Sequence, residues 1–208
     1  MHLSPKKYFI TAIGTGSGKT VVSAIVCEAL KADYWKPVQS GTEEIDSETV
    51  KNLISNNQTS IHPENFKLKM PASPNIAAKA EGKTIYLKAF SMPVTQNTLV
   101  IEGAGGILVP INEQGEYVID LAAKFEAEVI LVVNIYLGCI NHTLLTISEL
   151  NRRNIKIKGL VFNQSIGGEI ENTILTLSGL PCLLQVGKEE ILSKKIISHY
   201  ASMLTLKD

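Results

Sequence analysis

Residues 7–32, "KYFITAIGTGSGKTVVSAIVCEALKA", constrain this chain more than any other stretch. An apolar run of strand length (7–13) enters a turn holding Gly14, Gly16 and Gly18. Neither a strand nor a helix tolerates that glycine density in its interior, so the chain must change element there. Residues 20–32, "TVVSAIVCEALKA", then recur at helical spacing in good helix formers. A buried strand that feeds a helix through a tight turn is half of a βαβ unit, and a βαβ unit requires a parallel sheet.

The rest of the chain repeats the alternation. Strands are expected at 33–38, 97–103, 127–134, 155–163 and 181–186. Helices are expected at 46–57, with Asp46 or Ser47 as cap, at 73–82 with a terminal glycine, and at 117–126, 140–153, 168–178 and 189–204. "AEVILVVN" (127–134) is almost wholly apolar, as a strand covered on both faces must be. The reading is one α/β domain over residues 1–208, with a mostly parallel sheet, helices on both faces and right-handed crossovers.

Composition narrows the function classes. The 208 residues suffice for one sizeable core, and 45% hydrophobic against 19% charged residues is a globular balance. A formal net charge of zero gives no electrostatic footprint for nucleic acid. No apolar run nears the roughly 20 residues of a membrane span, and "MHLSPKKYFI" lacks the apolar region of a signal peptide. Cys27, Cys139 and Cys182 are too scattered for a disulfide framework or a zinc site, which fits a reducing cytoplasm.

In open parallel sheets ligands bind beyond the carboxyl ends of the strands, so the residues there carry the functional reading. After the first strand, Gly14, Gly16 and Gly18 free backbone N–H groups to surround phosphate oxygens, with Thr15 and Ser17 between them. Lys19 then reaches the outer phosphates and Thr20 offers a hydroxyl to Mg²⁺. The common spacing G-x-x-x-x-G-K-[ST] would place its first glycine at Ile13, so this loop departs from it. With that loop in its context, the expected class is a P-loop NTPase-like fold. After the second strand comes "KPVQSG" (36–41), where Lys36 can meet a phosphate or carboxylate as a point charge, or simply be exposed. After "NTLVI" comes "EGAGG" (102–106). Glu102 is drawn inward by the apolar run before it, and a buried carboxylate requires a partner charge, for which Mg²⁺ beside a phosphate loop is suited. Cys139 and His142 alone make no metal site, and Asn141 is an ordinary helix-start residue. Asn163 can recognise a base edge or shape its turn.

Taken together, "YFIT…GKT", "KPVQSG", "SPNIAA", "VIEGAGG", "LVVN…LGCINHTLLT" and "GLVFN" resemble the dethiobiotin synthetase family over residues 8–163. That family's loop reads roughly G-T-D-T-E-V-G-K-T, which accounts for the unusual spacing. Here Ala12 stands at its first Gly, Gly14 at its Asp, Gly16 at its Glu and Ser17 at its Val. The resemblance implies ATP-dependent closure of 7,8-diaminononanoate with CO2 to a cyclic urea, with Mg²⁺ as cofactor. It implies that Lys19 and Lys36 are catalytic, and that Gly14 to Thr20 and Asn163 bind nucleotide. Thr20, Asp46 and Glu102 would hold Mg²⁺. Thr15, Lys36, Ser40, Ser73 and Pro74 would line the diamine site. It further implies a homodimer, in which Gly138, Cys139 and Asn141 bind the partner's substrate and His142 is structural. Near the C-terminus, "QVGKEEI" (185–191) lacks the proline that relatives often carry after the last strand.

A second class shares the expected fold: partner-binding ATPases resembling ParA and MinD. Their loop starts with a lysine, where this chain has Gly14. Some also end in a membrane-seeking amphipathic helix, but residues 189–208 read as an ordinary packing helix.

Overall fold

A computed structural model describes residues 5–206. Residues 1–4 of the N-terminal stretch and residues 207–208 of the C-terminal amphipathic segment lie outside the described residues. The strands are β1 (Lys7–Ala12), β2 (Asp33–Trp35), β3 (Val38–Ser40), β4 (Ile61–His62), β5 (Phe66–Leu68), β6 (Leu99–Gly106), β7 (Glu128–Asn134), β8 (Ile157–Asn163) and β9 (Cys182–Val186). The helices are α1 (Lys19–Leu30), α2 (Asp46–Leu53), α3 (Pro74–Ala80), α4 (Asp120–Lys124), α5 (Cys139–Arg152), α6 (Glu169–Ser178) and α7 (Lys194–Met203). Seven strands form one sheet in the order β4-β2-β6-β1-β7-β8-β9, and every pairing in it is parallel.

The period of two along each strand divides the apolar side chains between two cores. On β7, Val129, Leu131 and Val133 enter one core with Phe9, Trp35 and Ile101, under Leu121 of α4, Ile147 of α5 and Ile174 of α6. Ile130 and Val132 enter the other with Ile10, Tyr34 and Val100, under Val22 and Val26 of α1, Val50 of α2 and Ile197 of α7. This is why residues 129–133 are apolar without alternation. Each such fully buried side chain contributes about 1.5–3 kcal/mol. Trp35 adds an edge-to-face contact with Phe125, ring centroids 5.5 Å apart.

Several boundaries differ from expectation: α2 stops at Leu53 instead of 57, α4 shrinks to Asp120–Lys124 from 117–126, and four others differ for a reason visible in the structure. The strand expected at 33–38 is cut at Pro37, which has no N–H for the ladder. Its second half becomes β3, which pairs with β5 in a separate two-stranded sheet. Neither Asp46 nor Ser47 caps α2: Ile45 is the cap and Asp46 is already helical, its side chain turned elsewhere. Asn141 likewise does not start its helix. Gly138, at φ 104°, is the cap of α5, and Asn141 lies in the first turn. The last helix begins at Lys194, because the Ser193 side chain accepts from the N–H of Ile196. Among the described residues, no helix is long and apolar enough to cross a membrane.

Candidate active site

Adjacent strands β2, β6, β1, β7 and β8 end on one edge of the sheet. Toward that edge they deliver, in that order, Lys36, Glu102 from within β6, the glycine loop, Gly138 and Asn163. The loop turns because Gly16 (φ 72°) and Gly18 (φ 91°) occupy the left-handed region that a side chain disfavours. Ala12 is the last residue of β1 and is not among the residues of positive φ, so the backbone there accepts alanine without strain. Ser17 closes the loop by donating to Gly14 O at 3.0 Å, and Asn163 Nδ2 donates to Ser17 O at 3.0 Å. Asn163 therefore supports the loop directly, a role that neither of the two uses expected of it had named. A Cβ on Gly18 would stand 2.2 Å from that same Nδ2, so glycine here also makes room for Asn163.

Four of the expected residues meet beside the loop. Thr20 Oγ1 lies 2.9 Å from Asp46 Oδ1 and 2.9 Å from Glu102 Oε1. Lys36 Nζ lies 2.6 Å from Asp46 Oδ2 and 3.0 Å from Glu102 Oε1, and donates to Gly103 O at 2.8 Å. The side chains of Lys36 and Glu102 are only 4% and 0% exposed, whereas that of Asp46 is 27% exposed. Lys36 is thus a buried partner for the two acids and not a solvated surface lysine. Burial acts to lower its pKa, but the carboxylates of Glu102 and Asp46 outweigh burial and raise it. Lys19 behaves in the opposite way. Burial, with the positive charge of Lys36 next, brings it down from 10.5 to about 8, against the smaller pull of Glu102 and Asp46.

The geometry also explains "EGAGG". It does not form a tight turn but continues β6, and the register with β1 shifts between Glu102 and Gly106. A Cβ on Gly103 would press against the Phe9 ring at 3.0 Å, and Gly105 has φ 62°. The glycines let the strand lie flat against β1 while bending toward the loop.

The donor set fits a hard cation. A hydroxyl has one proton, yet Thr20 Oγ1 faces two carboxylate oxygens at hydrogen-bond distance. Three hard oxygens therefore converge, and Mg²⁺ is commonly held by one or two carboxylates with phosphates and water completing its shell. Among the described residues no group of three or more His, Cys, Asp or Glu is placed for a metal, which excludes a closed cage of zinc type there.

The remaining expected residues are more scattered. Thr15 is exposed, and its Oγ1 faces Gly105. Ser40 ends β3 with a buried Oγ that has no hydrogen-bond partner. Pro74 opens α3, and Ser73 donates to Asn75 Oδ1 at 2.7 Å. Cys139 is buried in the core, consistent with packing, whereas Gly138 and Asn141 are exposed at the start of α5. His142 is exposed and lies 2.5 Å from the hydroxyl of Tyr136. Sequence reasoning missed Gln39, whose amide donates to Ser40 O and Glu44 O while its Oε1 accepts from Asp46 N, fixing the start of α2. It also missed Tyr34, which donates to Glu102 Oε2 at 2.9 Å. Nothing in the local sequence pattern marks either residue. A surface concavity between α2, β4 and α7, lined in part by Lys51, Asn56, Thr59 and Lys194, lies away from all of these groups.

Comparison with known proteins agrees with this arrangement. A family model described as an AAA domain matches residues 6–195. A curated ATP-dependent dethiobiotin synthetase from Cytophaga hutchinsonii is 54% identical over 200 residues, covering 96% of this chain and 97% of that protein. The chain belongs to the dethiobiotin synthetase family. A second member of that family, from Christiangramia forsetii, is 45% identical over 198 residues, 95% of each chain. Dethiobiotin synthetases are ATP-dependent ligases, and this chain is an enzyme of that family. Among solved structures, a ParA family ATPase from Chlorobium tepidum superposes with a TM-score of 0.56 at 11% identity, covering 96% of this chain and 99% of the other. MinD complexed with Mg-ADP from Pyrococcus horikoshii also gives 0.56, at 14% identity and 95% and 94% coverage. At such identities the likeness shows the P-loop NTPase-like fold that the synthetase family shares with these ATPases, and nothing of their partners.

Proposed function

We propose that this chain makes dethiobiotin from 7,8-diaminononanoate, CO2 and ATP, releasing ADP and phosphate. One observation carries the reading: Lys19, Thr20, Lys36, Asp46 and Glu102 converge at the end of the phosphate loop. In this mechanism one amine of the diamine combines with CO2 to give a carbamate. A carbamate oxygen attacks the γ-phosphorus of ATP and ADP leaves, which gives a carbamic-phosphoric anhydride. The second amine then attacks the carbamoyl carbon, expels phosphate and closes the ureido ring. No covalent enzyme intermediate is needed, so the protein acts by positioning and charge neutralisation.

Gly14, Thr15, Gly16, Ser17 and Gly18 present N–H groups to the phosphates, and α1 adds the positive end of its dipole. Lys19 stabilises charge on the transferred phosphoryl group. Lys36 leaves its carboxylate partners to face the carbamate and γ-phosphate. Thr20, Asp46 and Glu102 would hold Mg²⁺, whose chemistry is to neutralise charge on the β- and γ-phosphate oxygens. Asn163 reads the adenine from the loop's edge. The free hydroxyl of Ser40, with Thr15, Ser73 and Pro74, lines the diamine-carbamate site. Gly138 and Asn141 complete that site for a partner copy in a homodimer, with Cys139 packed beneath them, and the exposed Leu137 beside them is consistent with a covered surface. Three free cysteines support a cytoplasmic setting.

The test is direct. The protein is incubated with diaminononanoate, bicarbonate, Mg²⁺ and ATP, and phosphate and the cyclic urea are followed together. Equal yields that depend on the diamine are expected. Phosphate release that ignores the diamine would overturn the proposal.

A further inference from the structure

We infer that Tyr34 is a positioning residue that fixes the plane of the Glu102 carboxylate, so that one oxygen is held toward the nucleotide site. The β2–β6 register places Tyr34 opposite Val100, and Glu102 lies two residues further along the same strand, on the same face. The phenol is long enough to cover that diagonal. Its ring is fully buried within an apolar cluster that includes Val22, Val26, Val50 and Val100. A phenylalanine would satisfy that cluster equally well, so packing does not account for the hydroxyl. Glu102 does: the Tyr34 hydroxyl donates to its Oε2 at 2.9 Å, with both groups out of solvent.

The two carboxylate oxygens are thereby given different work. Oε2 is fixed toward the core by Tyr34, while Oε1 meets Thr20 and Lys36. The terminal torsion of a glutamate is broad, so packing alone would leave the plane of the carboxylate loosely set. A donor on the core side fixes that plane, leaving the other oxygen aimed at the place where a cation would lie. Partners of this kind behind metal-binding carboxylates typically change metal affinity or activity by about 10–100-fold when removed. The inference rests on Glu102 being a magnesium ligand, as proposed above.

Titration calorimetry of ADP binding tests it, with the full-length chain in EDTA and in Mg²⁺, for wild type, Tyr34→Phe, Glu102→Gln and the double variant. The wild type is expected to bind ADP more tightly in Mg²⁺. Tyr34→Phe should bind ADP in EDTA as the wild type does, while its Mg²⁺ requirement rises by about ten-fold. In the Glu102→Gln background the same change should leave the Mg²⁺ dependence unaltered. Melting in EDTA confirms that each variant is folded, and Glu102→Gln against the double variant supplies the comparison independently of the single Tyr34 substitution. An unchanged Mg²⁺ requirement in Tyr34→Phe, beside a clear wild-type effect, overturns the role of Tyr34 alone. So does an equal loss in both backgrounds, which would mark a purely structural residue. No Mg²⁺ effect in the wild type overturns the metal reading of the site and this inference with it.

Discussion

Replacing Lys36 by methionine keeps a side chain of nearly the same length and removes the ammonium group with its charge and donors. The variant loses contacts to Glu102, Asp46 and Gly103 O at 3.0, 2.6 and 2.8 Å. Breaking a buried ion pair from one side costs about 3–5 kcal/mol, because the remaining charge is left uncompensated. The lower end applies here. Tyr34 still donates to Glu102, Thr20 can donate to one of the two acids, and Asp46, with its side chain 27% exposed, is partly solvated. In a chain of 208 residues, a loss of about 3 kcal/mol lowers the melting temperature by about 6–12 °C. The pKa of Lys36 is raised above 10.5 in the folded chain, so the pair's contribution is fully present below 10.5 and is lost only as pH rises through the higher folded value. A measurement near neutral pH therefore sees all of it. Thermal unfolding in EDTA should show the drop, and added Mg²⁺ should recover part of it by supplying positive charge to the same two carboxylates. The wild type should gain less from Mg²⁺ than the variant does, and the variant's turnover should be nearly abolished. A melting temperature in EDTA within about 2 °C of wild type would refute the reasoning, since that is less than the effect of 1 kcal/mol. It would mean that the cluster is solvated and that its charges are screened.

Three further outcomes follow from other parts of the molecule. Gly18→Ala forces a side chain into φ 91° and against Asn163 at 2.2 Å, whereas Gly16→Ala at φ 72° meets no atom within 4 Å. Calorimetry should show ADP binding weakened by at least about ten-fold in Gly18→Ala and by much less in Gly16→Ala, since only the first combines backbone strain with a lost support of the loop. For Glu28, burial pushes the carboxyl up, but donors from Ser55 and Asn56 outweigh it and hold it at about 2 instead of 4.5. Its stabilisation is present above 4.5 and lost as pH falls toward 2, so Glu28→Gln should melt below wild type at neutral pH, with the difference closing over that acidic window. His142 is exposed and tied to Tyr136, so His142→Ala should keep turnover within about three-fold of wild type in the coupled phosphate assay, the range of ordinary surface substitutions.

The fold was legible where periodicity and punctuation agreed. β1, β7 and β8 are apolar runs closed by a helix start or a polar residue, and each formed within a residue or two of its expected limits. The short pair β3 and β5 was not legible, since three-residue strands carry too little period to register. The cap positions were misread for a related reason. Asp46 has the chemistry of a helix cap, but an electrostatic partner in Lys36 claims its carboxylate, and tertiary context overrides the local preference. Lys36 was legible as a strand-end residue and Glu102 as the acid closing an apolar run, although β6 continues past it to Gly106. That they face each other depends on β2 and β6 being neighbours, which no local pattern states.

The loop itself shows how far its departures extend. Ala12 ends an ordinary strand, so the missing first glycine costs the backbone nothing. The residues that shape the turn are Gly16 and Gly18, both at positive φ, and of these only Gly18 is also hemmed in by a neighbour. At Gly16 the surroundings are open, so a longer side chain there meets only the cost of the left-handed backbone, about 1 kcal/mol. The acid that relatives carry at this position is therefore compatible with the same turn. Its replacement by glycine removes a charge from the loop while leaving the loop's shape to Gly18, Ser17 and Asn163.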